Sequence, residues 1–394
     1  AEDVDALVVQ VSVTGDQAAL TAYDPRNVVL NVNFEEGKTF TGLAYDESGF
    51  SSYKIDVMDL LKRNGITVSS LEDDRFQLIM TGASIQNLEL TRGTWEIVLN
   101  GSNVLEGKGT EVSGCGLKIK ENVSATIKAG TAPASLTAKN YPTKGSSGDG
   151  SSGIVVDGNL TIKSGTIEAT ADAGRNSAPF SGAIVVGRKG TLNISGGSVT
   201  AAGTGKNGMF VRGNFQMAGG SLTVTGSGKP GIENEGNFKL SGGTISTKSN
   251  SDGIGFLQSG GSATIQAKEL ITERLYINSS FTVASGGKVT SESTIIDRGT
   301  LTNAGEFVSN GPFEKGTYGT FNNTGTISGT GSLPDDVKQT PDQITGYTAE
   351  ISRDYSENMS IDVPSLAGIH KPVNAGNLQY ELAEYTGSDK GVGT

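Results

Sequence analysis

Through the middle third of the chain, apolar and polar residues alternate in short bursts, and the bursts recur. The segments GIVVDGNLTIKSGTI (153–167), GAIVVGRKGTLNISGGSV (182–199), GMFVRGNFQMAGGSL (208–222), GIENEGNFKLSGGTI (231–245) and GIGFLQSGGSATI (253–265) share one phrase. Each runs from a glycine through an apolar stretch, a glycine turn and an apolar-polar-apolar triplet to a further strand-like set. Leu160/Ile162, Leu192/Ile194, Phe215/Met217 and Phe238/Leu240 keep period two, so both members of each pair face one side. Thr161, Asn193, Gln216 and Lys239 between them are then turned to water. Ile162 and Ile167, Ile194 and Val199, Met217 and Leu222, and Leu240 and Ile245 each lie five positions apart. The opening glycines, Gly153, Gly182, Gly208, Gly231 and Gly253, lie 29, 26, 23 and 22 residues apart. A period in the twenties with several short strands per unit is the mark of a solenoid, whose loops vary while its strands do not. Three short strands with glycine corners predict one rung of a single-stranded, right-handed parallel β-helix.

The pattern loosens on both sides. WEIVLNGSNVLEG (95–107) and GLKIKENVSATIKAG (116–130) fit as earlier rungs. RLYINSSFTVASGGKV (274–289), STIIDRGTLTNAGEF (293–307) and GTFNNTGTISGTG (319–331) fit as later ones. The expectation is an all-β chain with about ten coils over 91–331, a rod on the order of 50 Å long at one strand spacing per rung. Residues 1–90 lack the repeat. They contain strand-like ALVVQVSV (6–13) and NVVLNVNF (27–34), and a predicted helix in YKIDVMDLLKRNG (53–65), stopped by Asn64-Gly65. An open helix end exposes backbone donors and apolar side chains, so this α+β region is expected to cap it. GSLPDDVKQTPDQ (331–343) reads as a linker, taken as 332–345, and 346–394 as a partial β-sandwich-like segment.

Composition changes the picture little once a solenoid is assumed. Apolar residues make up 35% and glycine 57 of 394, too lean for an ordinary core but sufficient for a thin stacked column. No apolar run approaches membrane-spanning length, so no membrane insertion is expected. A net charge of −11 without a basic cluster argues against nucleic acid. One cysteine, Cys115, allows no intramolecular disulfide. The start AEDVDA has neither an initiator Met nor a signal-like stretch, and reads as a mature chain trimmed after an alanine-type cleavage site. Export is therefore expected.

The repeat section, roughly 85–331, resembles the β-helical repeat regions of bacterial cell-surface proteins of the adhesin-like or carbohydrate-binding kind. WEIVLNGSN (95–103), GLKIKENVSATI (116–127) and the GNLTIKSGTI-type phrases carry the likeness. The tail, YTAEISRDYSENMSIDVP (347–364) with NLQYELAEYTG (377–387), resembles the first half of immunoglobulin-like modules in large surface proteins of gut bacteria. It stops at GVGT (391–394), which reads as truncation. The resemblance implies a secreted or cell-surface location and a non-catalytic binding role, with polysaccharide, host glycan or a host surface protein as partner. β-Helices also serve polysaccharide lyases and glycosidases, and a purely structural spacer is a third reading, so fold alone does not choose.

Candidate chemistry is sparse. The only histidine, His370, lies outside the repeats, which excludes a histidine base within them. One Cys and one His cannot make a zinc site, and Asp335-Asp336 lack calcium-loop spacing. No cofactor is expected. The turn after the first strand carries Asp157, then Arg188/Lys189, Arg212, Glu235 and Gln258 on successive rungs. This ladder is either a grip for a sugar, an acid/base pair, or an exposed cross-rung ion pair worth little energetically. Val155, Val185 and Phe210 fall on the outward side of the first strand, in a row continuing into Glu233 and Gly255. Such a stripe is a contact surface unless the loops at 131–152 and 170–181 cover it, with Phe180 a candidate cover. The exposure of Phe210 separates the two. Outward Thr166/Glu168, Ser198/Thr200, Ser221/Thr223 and Thr244/Ser246 are hydroxyl-rich, as suits exposed strands. Trp95 is the single tryptophan, leaving Tyr141 and Tyr276 as possible sugar platforms.

Overall fold

Every repeat strand pairs in parallel with its equivalent one repeat further on. The computed structural model describes the backbone of residues 8–14, 17–23, 28–35, 39–45 and 52–56. It further describes 58–334 except 72, 86–87, 107–114, 141–151, 173–180 and 251–252, with side chains from Leu61 onward. These residues are almost all β, with one short helix, Met58–Arg63; Val8–Thr14 and Gln17–Tyr23 form an antiparallel pair of their own, and the other strands belong to one large, mostly parallel sheet. Three ladders of parallel pairs run through the sheet. The first links Leu88–Leu90, Leu117–Ile119, Ile154–Val156, Gly182–Val186, Asn207–Val211, Ile232–Asn234 and Phe256–Gln258, and later Leu275, Thr294 and Phe313 with their neighbours. The second runs from Arg75–Thr81 through Asn159–Ile162 and Thr191–Ile194 to Thr320–Asn323. The third runs through Thr166–Asp172 and Ser198–Thr204 to Thr326–Ser328. Asn214–Gly226 and Asn237–Ser249 each belong to both the second and third ladders, their pairing shifting register around Ala218 where the chain turns a corner.

Register turns the period-two alternation into files. Phe76, Trp95, Ala125, Leu160, Leu192, Phe215, Phe238, Ala263, Phe281, Leu301 and Phe321 are successive partners along the second ladder, and all are buried. Phe215 and Phe238 stack with ring centroids 4.5 Å apart. Where the file narrows to Ala263, Phe256 of the first ladder fills the space. Its ring lies edge-on to Phe238 at 5.1 Å and to Phe281 at 5.6 Å. Small and large residues thus alternate across facing positions, which keeps the column filled.

The interior also contains amides, which the sequence does not announce. Asn234 and Gln258 are register partners at 0% exposure, and Asn234 Nδ2 donates to Gln258 Oε1 at 2.9 Å. The same Nδ2 reaches the carbonyls of Gly236 and Ser262, while Gly236 N–H donates to Asn234 Oδ1. Asn303 repeats the arrangement near the other end, donating to Asn323 Oδ1 at 2.7 Å and to Thr326 O, and accepting from Gly305 N–H. Each amide closes a corner whose backbone groups would otherwise lie buried without partners.

Four expectations shift. Parallel pairing begins before residue 91, with Arg75–Thr81 against Thr94–Asn100, and Leu30–Val32 pairs in parallel with Leu88–Leu90. The helix is confined to Met58–Arg63, because Ser52–Asp56 is taken up as a strand antiparallel to Thr39–Tyr45. Gly65, at φ 75, ends the turn that follows the helix. Ile66–Ser70 runs antiparallel along the outer side of Arg75–Thr81, so that strand has no free edge. In the fifth repeat the ladder glycine is Gly255, not Gly253: Ile232 N–H donates to Gly255 O as Met209 N–H does to Gly231 O. A Cβ on Gly255 would come within 2.2 Å of Thr272 Oγ1, which explains the requirement. The expected linker start, Ser332–Pro334, still touches the sheet: Phe313 N–H donates to Ser332 O and Leu333 packs against the core. The rest of that linker, the tail at 346–394 and His370 lie outside the described residues.

Candidate functional site

The corner after the first ladder is defined by one recurring backbone bond. Asp157, Gly187, Arg212, Glu235, Ser259, Asn278, Asp297 and Gly316 each donate their N–H to the last residue of the preceding first-ladder strand. These residues form the polar column that the sequence drew from Asp157 to Gln258, with two corrections. Gly187 occupies the second place, because the turn there has extra residues. Arg188 and Lys189 project from it, and Lys189 Nζ pairs with Glu121 at 2.6 Å. Gln258 is not at the corner but inside, bonded to Asn234, and Ser259 takes its place. The sequence misplaced it through the Gly253 alignment. The expected neighbours do meet: Arg212 Nε lies 3.5 Å from Glu235 Oε2, one rung apart, with the arginine side chain largely covered. Further along, Asp297 lies 3.8 Å from Arg298 Nε.

Beside this column runs the outward row of the first ladder. Val155, Val185, Phe210, Glu233, Leu257, Tyr276 and Ile295 are successive partners. Leu257, not Gly255, follows Glu233. The row has two halves. Val155, Val185 and Phe210 are covered, Phe210 to 1% exposure, so the stripe read as a possible contact surface is packed, and Phe210 cannot meet a ligand. Phe180, its suggested cover, and Tyr141 lie outside the described residues. Beyond Phe210 the row opens: Glu233, Leu257, Tyr276 and Ile295 are half-buried.

At the junction sits a group that composition did not reveal. Asn207, 3% exposed, donates Nδ2 to Glu233 Oε2 at 2.9 Å, and its Oδ1 has no hydrogen-bond partner. Burial raises the Glu233 carboxyl above its usual range; the Asn207 bond opposes this, and nearby Glu235 adds to it. Lys206, fully buried, has its ammonium lowered to about 8 by burial, with Asp172 opposing. Tyr276 is raised by burial and by Asp297 beside it. A lysine and a glutamate on neighbouring rungs look like solvated charges in the sequence. Their burial follows from the packing of the corner between the third and first ladders.

The hydroxyl rows of the third ladder, Thr166 to Ser246, are exposed as expected. That ladder then becomes charged, Lys288 lying 3.9 Å from Glu269 and 3.0 Å from Glu306. Among the described residues, no three His, Cys, Asp or Glu side chains gather closely enough to hold a metal ion, and no helix is long and apolar enough to cross a membrane. Comparison with family models, with curated proteins and with solved structures finds no match for this chain.

Proposed function

We propose that the sheet winds as a single-stranded right-handed parallel β-helix of about ten coils, covered at its start by the chain before about residue 75, and that the chain is a non-catalytic secreted or cell-surface protein that binds glycan along this rod. The observation that carries the binding role is the juxtaposition of the half-buried row Glu233–Leu257–Tyr276–Ile295 with the polar corner column. Sugars offer apolar C–H faces and hydroxyl edges together, and a surface that pairs apolar side chains with fixed hydrogen-bonding groups suits both. The winding is supported by the way three ladders interleave along the chain and by continuous strands that pass from the second to the third. Surface location rests on the resemblance of residues 85–331 to bacterial surface repeats. The test is retention of the full chain on a panel of insoluble and immobilised polysaccharides; retention on at least one is expected. Silence across the panel favours the spacer reading instead.

One observation favours a hydrolytic second reading. Glu233 is raised by burial and lies two residues from Glu235, and glycosidases work with a pair of carboxyls of which one is held protonated. Release of reducing sugar that disappears in Glu233→Gln and Glu235→Gln would establish it. Absence of product from every bound polysaccharide leaves the binding role.

A further inference from the structure

The described surface offers three long polar faces, and only one of them combines apolar platforms with hydrogen-bonding groups at every rung. On the second ladder the outward rows, such as Asn159/Thr161, Thr191/Asn193, Ser280/Thr282 and Thr300/Thr302, carry hydroxyls and amides without any ring. On the third ladder hydroxyls give way to the mutually paired Glu269, Lys288 and Glu306. The first ladder differs. Leu257, Tyr276 and Ile295 stand in one straight row, about 4.8 Å per rung, as parallel strands require. Alongside stand Ser259, Asn278 and Asp297, one at each of the same rungs.

Resting on the glycan-binding reading above, we propose that this strip, from Glu233 to Ile295, is the binding site, and that it takes an uncharged polysaccharide lying across the rungs. Leu257, Tyr276 and Ile295 lie beneath the apolar faces of successive sugar rings, and Glu233, Ser259, Asn278 and Asp297 meet their hydroxyls.

Three observations select this occupant. The spacing of the row matches a polymer whose repeating units follow one another at about one strand separation. The charges flanking the strip are matched in pairs, Arg212 with Glu235 and Asp297 with Arg298, and Glu233 within it is held by the amide of Asn207, so no cluster of one sign is there to hold an acidic or a basic polymer. Half-buried acceptors stand beside the apolar row, Glu233 within it and Ser259 and Asp297 in the corner column. A polyhydroxylated ligand supplies donors; a bare apolar partner does not. The elevated Glu233 carboxyl fits the same picture, since a half-buried group there can accept from, or donate to, a hydroxyl.

The test uses the full chain against microcrystalline cellulose, insoluble β-1,3-glucan, chitin and xylan as uncharged probes, with polygalacturonate as an acidic one. Wild type is expected to bind at least one uncharged probe. Tyr276→Ala and, as an independent block on the corner that leaves the core untouched, Ser259→Lys are each expected to weaken binding at least about tenfold, close to 1.4 kcal/mol. Thr264→Ala on the second ladder and Thr223→Ala on the third are expected to bind as wild type does. Circular dichroism and the melting midpoint show that the variants fold. Wild-type strength in both strip variants overturns this site while leaving glycan binding intact. Binding confined to polygalacturonate overturns the uncharged occupant. Absence of wild-type binding to every probe removes the underlying reading and this inference with it.

Discussion

At the residue scale, the interior amides bear on the fold most directly. Asn234 satisfies Gln258 and three backbone groups at one corner, so its truncation strands several buried polar atoms at once. Asn234→Ala is expected to cost about 1–3 kcal/mol in urea unfolding, and the Asn234→Ala/Gln258→Ala double variant less than the sum of the singles. Simple additivity would show that the two amides do not cooperate. Lys206 gives a prediction with a sign. Its folded pKa is lowered to about 8 against 10.5, so the charged form is penalised in the folded state. That penalty is complete below about pH 8 and is released as pH rises towards the unfolded value. The stability of wild type relative to Lys206→Met should therefore improve between pH 8 and 10.5, by an amount on the order of 2 kcal/mol. A gap that stays flat over this range, measured by denaturant titration at each pH, would mean that Lys206 titrates normally. Glu233 runs the opposite way: its raised pKa makes ionisation costly, so Glu233→Gln should gain on wild type as pH rises above the ordinary carboxylate range and match it in acid.

Among the elements, strands are pinned and turns are free. Phe238 lies between Phe215 and Phe256 in the ring column, and Phe238→Ala should cost about 3–5 kcal/mol. An extra residue between Phe238 and Lys239 moves every later side chain of that strand to the wrong face and should abolish cooperative unfolding. One between Arg188 and Lys189, in an exposed turn, should cost well under about 1 kcal/mol. Equal effects from the two insertions, read as melting midpoints, would deny that strand register matters. The same distinction explains what was legible in the sequence. Leu160, Leu192, Phe215 and Phe238 announce one file because period two and the constant five-position spacing come from strand geometry itself. The fifth repeat was read two residues out of step because GIG offers two glycines, and only the contact of Gly255 with the next rung distinguishes them. Arg188 was placed in the polar column because turn length is not encoded by alternation. Gln258 reads as part of the exposed corner column, and Asn234 draws no notice, because a polar residue at a strand end shows nothing of the corner carbonyls it satisfies. At the site, the Arg212–Glu235 contact was foreseen from stacking, whereas the open row of Leu257, Tyr276 and Ile295 needed the register.

For the whole molecule, the central claim is that the rungs pile up in one direction, so that separation along the rod counts rungs and not residues. On the proposed winding each rung has only neighbour contacts and the chain has no return path. Thr126, Thr161, Asn193, Gln216, Lys239, Thr264, Thr282 and Thr302 are successive partners on the outward side of the second ladder. Spin labels at 126 and 239 are then four rungs apart and at 126 and 302 seven. Double electron–electron resonance on the two doubly labelled chains should give distances near 19 Å and 34 Å, widened only by the label tethers. A second distance equal to or shorter than the first would mean that the sheet closes on itself or folds back, and would contradict linear stacking.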